Sequence, residues 1–224
     1  MRKWGVVISV FYAVIVLAIL MPAAFPLAGG SGFPSEGYFG ELGDLYAVWQ
    51  LWVPTIAVLA SQAILLFLSV DTSFKKLRPK AHIAISVAIA SLLFGLLATA
   101  AFYCVWVAVR SDSFGSGFLG DARGMFSVWG ALWVLWGIVF YFNFRNSQNA
   151  AARTVSWLLK GSVLELLIAV PCHVWVRRRG DCSAPAYTSF GIVTGIAVML
   201  LAFGPSVLLL YKKRLDAYAG RKSA

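Results

Sequence analysis

Charge is scarce in this chain of 224 residues. Asp, Glu, Lys and Arg together make up 12% of it, and only nine residues are acidic. A soluble domain carries about 25% charged residues, so the deficit excludes an ordinary water-soluble globule. Histidine occurs twice, at His82 and His173, and the three cysteines, Cys104, Cys172 and Cys182, include no CxxC pair. That spacing excludes the common structural-zinc and thioredoxin signatures. There is also no HExxH, no phosphate-binding glycine loop, no Ser–His–Asp arrangement and no pair of catalytic acids.

What the chain has instead is hydrocarbon. It is 60% hydrophobic with a mean hydropathy of +0.81. Apolar runs of about 18 or more residues read as membrane-crossing helices, and six occur, at about 5–25, 46–70, 82–109, 126–143, 156–176 and 188–211. The connections are too short to hide a soluble domain. The expected fold is therefore an all-α integral membrane protein, a single polytopic domain over residues 1–224 with six transmembrane helices. The first run, Gly5 to Met21, is longer than the usual apolar core of a signal peptide and no clean Ala-x-Ala site follows it, so it reads as an uncleaved first span.

The formal charge of +10 does not point to nucleic acid, because the basic residues sit beside helix ends as topology signals do. Fourteen of them fall on one side of a six-span arrangement: Arg2, Lys3, Lys75, Lys76, Arg78, Lys80, Arg145, Arg153, Lys160, Lys212, Lys213, Arg214, Arg221 and Lys222. The other side has Arg110, Arg123 and Arg177 to Arg179. Both termini are expected in the cytoplasm, with the chain in a cell's inner membrane. Its partners are then the lipid bilayer and other membrane proteins or copies of itself, with no nucleic acid.

A two-helix pattern recurs along the sequence. Gly37-Tyr-Phe-Gly40-Glu41, followed by Tyr46-Ala-Val48-Trp49, recurs eighty residues later as Gly117-Phe-Leu-Gly120-Asp121 with Phe126-Ser-Val128-Trp129. Val105-Trp106-Val107 with Arg110-Ser-Asp112 matches Val174-Trp175-Val176 with Arg179-Gly-Asp181. Three related hairpins are expected, at about 5–70, 82–143 and 156–211, a known plan for membrane proteins. The acids of the repeated box sit where a helix begins, Asp44 at an N-cap position and Asp121 near the start of span 4. Trp129, Trp133 and Trp136 form one stripe at helical spacing, which lipid or helix packing explains better than a cofactor platform.

Residues 160–182 gather most of the reactive side chains. Glu165 falls near the middle of a span about 31 Å long, where a carboxylate is costly and by default suggests function. The structural alternative is a neutral acid hydrogen-bonded to Gln50, Ser61, Gln62 or Thr194. Pro171 removes a helix hydrogen bond and frees the carbonyl of Leu167. Cys172 shares the face of Glu165, and His173 lies about 100° further round. With Cys182 or Cys104, Cys172 could form a disulfide or, with His173 and Asp181, help to hold a metal. Arg177, Arg178 and Arg179 suit phosphate or carboxylate, either as an anion-attracting mouth or as interfacial anchors. No cofactor is specified. A bis-histidine haem is disfavoured, since His82 and His173 would stand roughly 25–30 Å apart.

The leading functional expectation is a non-enzymatic protein that binds or transports a small ion or anionic ligand near the outer half of span 5, where it meets spans 2, 3 and 6. Glu165, His173 and Arg177 to Arg179 would handle that ligand. Two other classes remain open. One is a scaffold or accessory subunit of a larger membrane complex. The other is a membrane redox or lipid-modifying enzyme using Cys172, His173 and Cys182. Compared with span 3, span 5 differs by Glu165 in place of Leu96, and by Pro171-Cys172-His173 in place of Phe102-Tyr103-Cys104.

Overall fold

A computed structural model describes residues 2–27, 43, 46–70, 79–110, 118–145, 150–180 and 184–222. The described residues are nearly all helical, and among them are six helices long and apolar enough to cross a membrane. In lipid every backbone N–H and C=O must be satisfied within the protein, and an unbroken helix does this within one segment.

Span 1 begins as an α-helix over Arg2–Ile15, widens into a π-helical turn at Val16–Leu20 and continues as Met21–Leu27. Span 2 is Trp49–Val70, span 3 Pro79–Val109 and span 4 Ala122–Phe144, entered through a 3₁₀ turn at Phe118–Gly120. Span 5 is Ala150–Arg179 and span 6 Ala184–Lys222. Spans 5 and 6 are longer than the apolar runs that predict them. Span 6, at about 58 Å, exceeds a hydrocarbon core of about 30 Å. Apolarity stops at the bilayer surface, but helical hydrogen bonding does not, so the helix runs on through the basic residues near the C-terminus.

The contacts fix how the spans lie. Tyr12 donates to the carbonyl of Ala197 at 2.7 Å, and Ile8 faces Gly204, so spans 1 and 6 are antiparallel. Val107 and Val176 share one buried cluster with Ala184, which makes spans 3 and 5 parallel and span 6 antiparallel to both. One end of the bundle, here the Arg179 end, therefore holds the finish of spans 1, 3 and 5 and the start of spans 2, 4 and 6. Residues 82 and 173 lie at opposite ends, too far apart to share one iron.

Span 3 is the central post. Of its central stretch 61% is buried, against 6% for span 4, which lies at the edge. Spans 4, 5 and 6 pack on span 3, while spans 1 and 2 pack on each other and on span 6. Span 6 is thus shared by two groups of helices. Leu93, Leu97, Leu158, Val198 and Leu201, all fully buried, form the common core.

The tryptophan stripe packs on span 3. Trp129 donates to the carbonyl of Leu92 at 3.2 Å, Trp133 donates to the Ser91 hydroxyl at 3.1 Å, and Trp136 lies 4.3 Å from the ring of Phe94. The capping expectation holds at Asp121, whose carboxylate accepts from the Ala122 N–H at 2.8 Å. Gly124 is required just beyond it: any Cβ there would collide with the backbone of Phe118 in the 3₁₀ turn. Asp44 and the box at 37–41 lie outside the described residues.

Candidate functional site

Glu165 stands 15 residues after Ala150 and 14 before Arg179, about 20 Å from either end of its helix. It is 2% exposed. Its carboxyl group points into a notch on span 6 made by Gly191 and Gly195, one helical turn apart. A Cβ on Gly195 would overlap the Oε2 of Glu165 and come within 2.8 Å of Leu166. A Cβ on Gly191 would lie 3.2 Å from Oε1 and 2.5 Å from the Cys104 sulfur. Glycine at both positions is what lets the acid fit, and the thiol of span 3 closes the notch from the third side.

Neither carboxyl oxygen has a hydrogen-bond partner among the described residues. The structural alternative, a bond to Gln50, Ser61, Gln62 or Thr194, is thus not formed. The reason is helix order. Span 5 packs mainly on spans 3 and 6 and only lightly on span 2, and the face that carries Glu165 turns to the glycines of span 6. The site is therefore bounded by spans 3, 5 and 6, without the contribution expected from span 2. Thr194 faces the other flank of span 6, where it lines a cavity of ≈ 270 Å³ together with Val16, Leu51, Pro54, Val58 and Phe190. Bare of partners in an apolar setting, a carboxylate charge is expensive and the neutral acid is the cheaper form.

Towards the Arg179 end, the seam between spans 5 and 6 passes Ala169, Cys104 and Cys172 and reaches His173. Cys104 is fully buried, Cys172 is half-buried, and both are free thiols. Cys182 and Asp181 lie outside the described residues. Among the described residues no three His, Cys, Asp or Glu side chains come together as metal ligands.

His173 Nδ1 lies 2.8 Å from the hydroxyl oxygen of buried Thr188. That hydroxyl also reaches the carbonyl of Pro185 at 3.1 Å. When the hydroxyl donates to Pro185, the imidazole N–H at Nδ1 donates to the hydroxyl and Nε2 is left as an acceptor. Just beyond, Tyr187 stacks on Tyr103 at 6.1 Å, and Tyr103 donates to the carbonyl of Leu119 at 3.0 Å.

The three arginines separate in the structure. Arg177 and Arg178 are exposed, as both a mouth and an anchor require. Arg179 is half-buried and donates to the carbonyl of Val107 at 3.0 Å. That carbonyl belongs to the last turn of span 3, where helix carbonyls lack intrahelical partners and cations are favoured. Arg179 thus ties the ends of spans 3 and 5 together. Span 5 continues as helix through Pro171.

The sequence missed the role of Gly191 and Gly195. It also missed Thr188 and the placing of Cys104 against Glu165. The usable signal was a lone acid in one span and a Gly-xxx-Gly pair in the next, at matching depth for antiparallel neighbours. Comparison with family profiles, curated proteins and solved structures gives no match for this chain.

Proposed function

We propose that this chain is a multi-spanning inner-membrane protein that binds and transports a small ion, without covalent catalysis, through the carboxyl of Glu165. One observation carries the reading: a carboxyl at mid-span is buried, unpartnered among the described residues and seated in a notch that only glycine permits. An acid of this kind contributes no bond to the fold, and an apolar side chain would cost less there. Its chemistry is that of a group that waits for a cationic partner. Arg177 and Arg178 belong to the same reading as the charged rim at the Arg179 end.

The excess of Lys and Arg beside one set of helix ends supports cytoplasmic termini, which leaves the Arg179 end outside. The repeated Val-Trp-Val ending of spans 3 and 5 supports related hairpins, since Val107 and Val176 occupy one cluster.

The test is flux. Purified protein in liposomes, loaded in turn with dyes for protons, sodium, potassium and calcium, should carry one of these ions. Glu165→Gln, close to the same size and neutral, should abolish that flux while leaving the protein monodisperse. Equal flux of every ion in the two proteins would sink the proposal.

A further inference from the structure

We infer that the ion bound at Glu165 is the proton, exchanged with the Arg179 end along the seam of spans 3, 5 and 6 that ends on the His173–Thr188 pair. The inference rests on the reading of Glu165 given above and narrows its ligand.

The argument is one of ligand count. A hard cation needs many oxygens: calcium takes about six to eight and magnesium about six in octahedral order. The notch offers the two oxygens of one carboxyl. Around them are the methylene of Gly195, the Cys104 thiol and the apolar side chains of Leu166 and Ala169, within a cluster that also includes Ile192 and Ile196. The surrounding backbone cannot help, because spans 5 and 6 are continuous helices here and their carbonyls are already engaged. Pro171 does free one carbonyl, that of Leu167. It lies two residues on from Glu165, about 200° round the helix, and the Leu167 side chain is exposed on the perimeter. A soft metal would need three or four sulfur or nitrogen ligands, and no such group forms among the described residues. A proton needs no shell. An O–H bond forms at one carboxyl oxygen on binding and breaks on release, and nothing else changes.

The seam also suits a proton better than a larger ion. From residue 165 to 173 it rises about 12 Å. The side chains along it are small: Ala169, Gly191 and the thiols of Cys104 and Cys172. At its end the His173 imidazole is hydrogen-bonded through Nδ1 to Thr188, and an imidazole can take a proton at one nitrogen while releasing one from the other. The titratable groups along the seam are Tyr103 and Cys104 from span 3 and Cys172 and His173 from span 5, with the exposed Arg177 near His173. Span 6 contributes only Tyr187 over residues 184–207, and it stacks on Tyr103.

The experiment is carbodiimide labelling of the full-length protein in liposomes, mapped by peptide mass. Dicyclohexylcarbodiimide reacts with a protonated carboxyl in an apolar setting. Glu165 should be labelled in choline buffer, less so as pH rises, and equally when sodium, potassium, calcium or zinc replaces choline. Protection by any of these metals would overturn the proton assignment while leaving an ion site at Glu165. No labelling at any pH, with flux indifferent to Glu165→Gln, would remove the earlier reading as well. His173→Phe tests the route. Labelling at equilibrium should stay as in wild type while proton flux is lost; unchanged flux would refute the seam as the path.

Discussion

The notch on span 6 makes a graded prediction, because four glycines meet different surroundings. A Cβ at Gly130 finds nothing within 4 Å, and one at Gly137 meets Ser91 at 3.8 Å, an ordinary contact. At Gly191 the nearest atom is 2.5 Å away, the Cys104 sulfur. At Gly195 the methyl group would overlap Glu165 Oε2 and press on Leu166 Cγ at 2.8 Å and Cδ2 at 2.9 Å. Carbon atoms prefer about 3.5–4.0 Å, so Leu166 must shift by roughly 1 Å and the carboxyl must leave its seat. Alanine in place of helical glycine gains about 1 kcal/mol, whereas overpacking a tight site costs about 1–3 kcal/mol. Gly130→Ala and Gly137→Ala should thus raise stability slightly. Gly195→Ala should lower it by up to about 2 kcal/mol net, with Gly191→Ala between. Thermal unfolding in mild detergent, followed by circular dichroism, ranks the four. The sharper measurement is the double mutant Glu165→Ala with Gly195→Ala. Truncating the acid removes one of the two collisions, so the pair should be non-additive by about 0.5–3 kcal/mol. Additive effects, or a Gly195→Ala protein as stable as Gly130→Ala, would refute the notch.

Three other perturbations follow from single contacts. Glu165→Met replaces an unpartnered polar group with a flexible apolar one of similar length, and should raise stability by about 1–3 kcal/mol while ending ion flux, read by thermal unfolding and dye flux on the same preparation. Gly124→Ala forces a methyl group into the Phe118 backbone, and should cost about 2 kcal/mol or more, with faster hydrogen exchange confined to the start of span 4. Arg179→Gln removes the charge-assisted bond to Val107 and should cost about 1 kcal/mol, whereas Arg178→Gln, on an exposed residue, should leave the unfolding temperature unchanged.

The spans were legible because lipid imposes one rule on every segment that crosses it, and length with apolarity reports that rule. The ends were less legible. Residues 150–155 and 177–179 extend span 5, and 184–187 and 212–222 extend span 6, in stretches where polarity hides a helix from a hydropathy reading. Within the site, the depth of Glu165 could be read from its position, and Asp121 from its place before an apolar run. The surroundings of Glu165 could not. Lateral order in a bundle depends on which faces meet, and a chain of short connections permits several orders. Reading Gln62 or Ser61 as its partner assumed that the face of span 5 carrying Glu165 turns to span 2, but it turns to the glycines of span 6. The arginine triplet shows the same limit on a smaller scale: three identical neighbours point about 100° apart, and only Arg179 turns towards the end of span 3.

Span 6 is in effect a partition wall with unequal sides. On one flank the glycines are filled by Glu165 and Cys104, and Arg179 straps the helices behind them at one end. On the other flank the wall backs onto the cavity that Val16, Leu51 and Phe190 help to line. Close-packed matter yields only where there is room. Any motion that loosens the seat of Glu165 therefore has its slack on the cavity side, and a bulky hydrocarbon wedged into that cavity would hold the carboxyl shut in from a distance, without touching it.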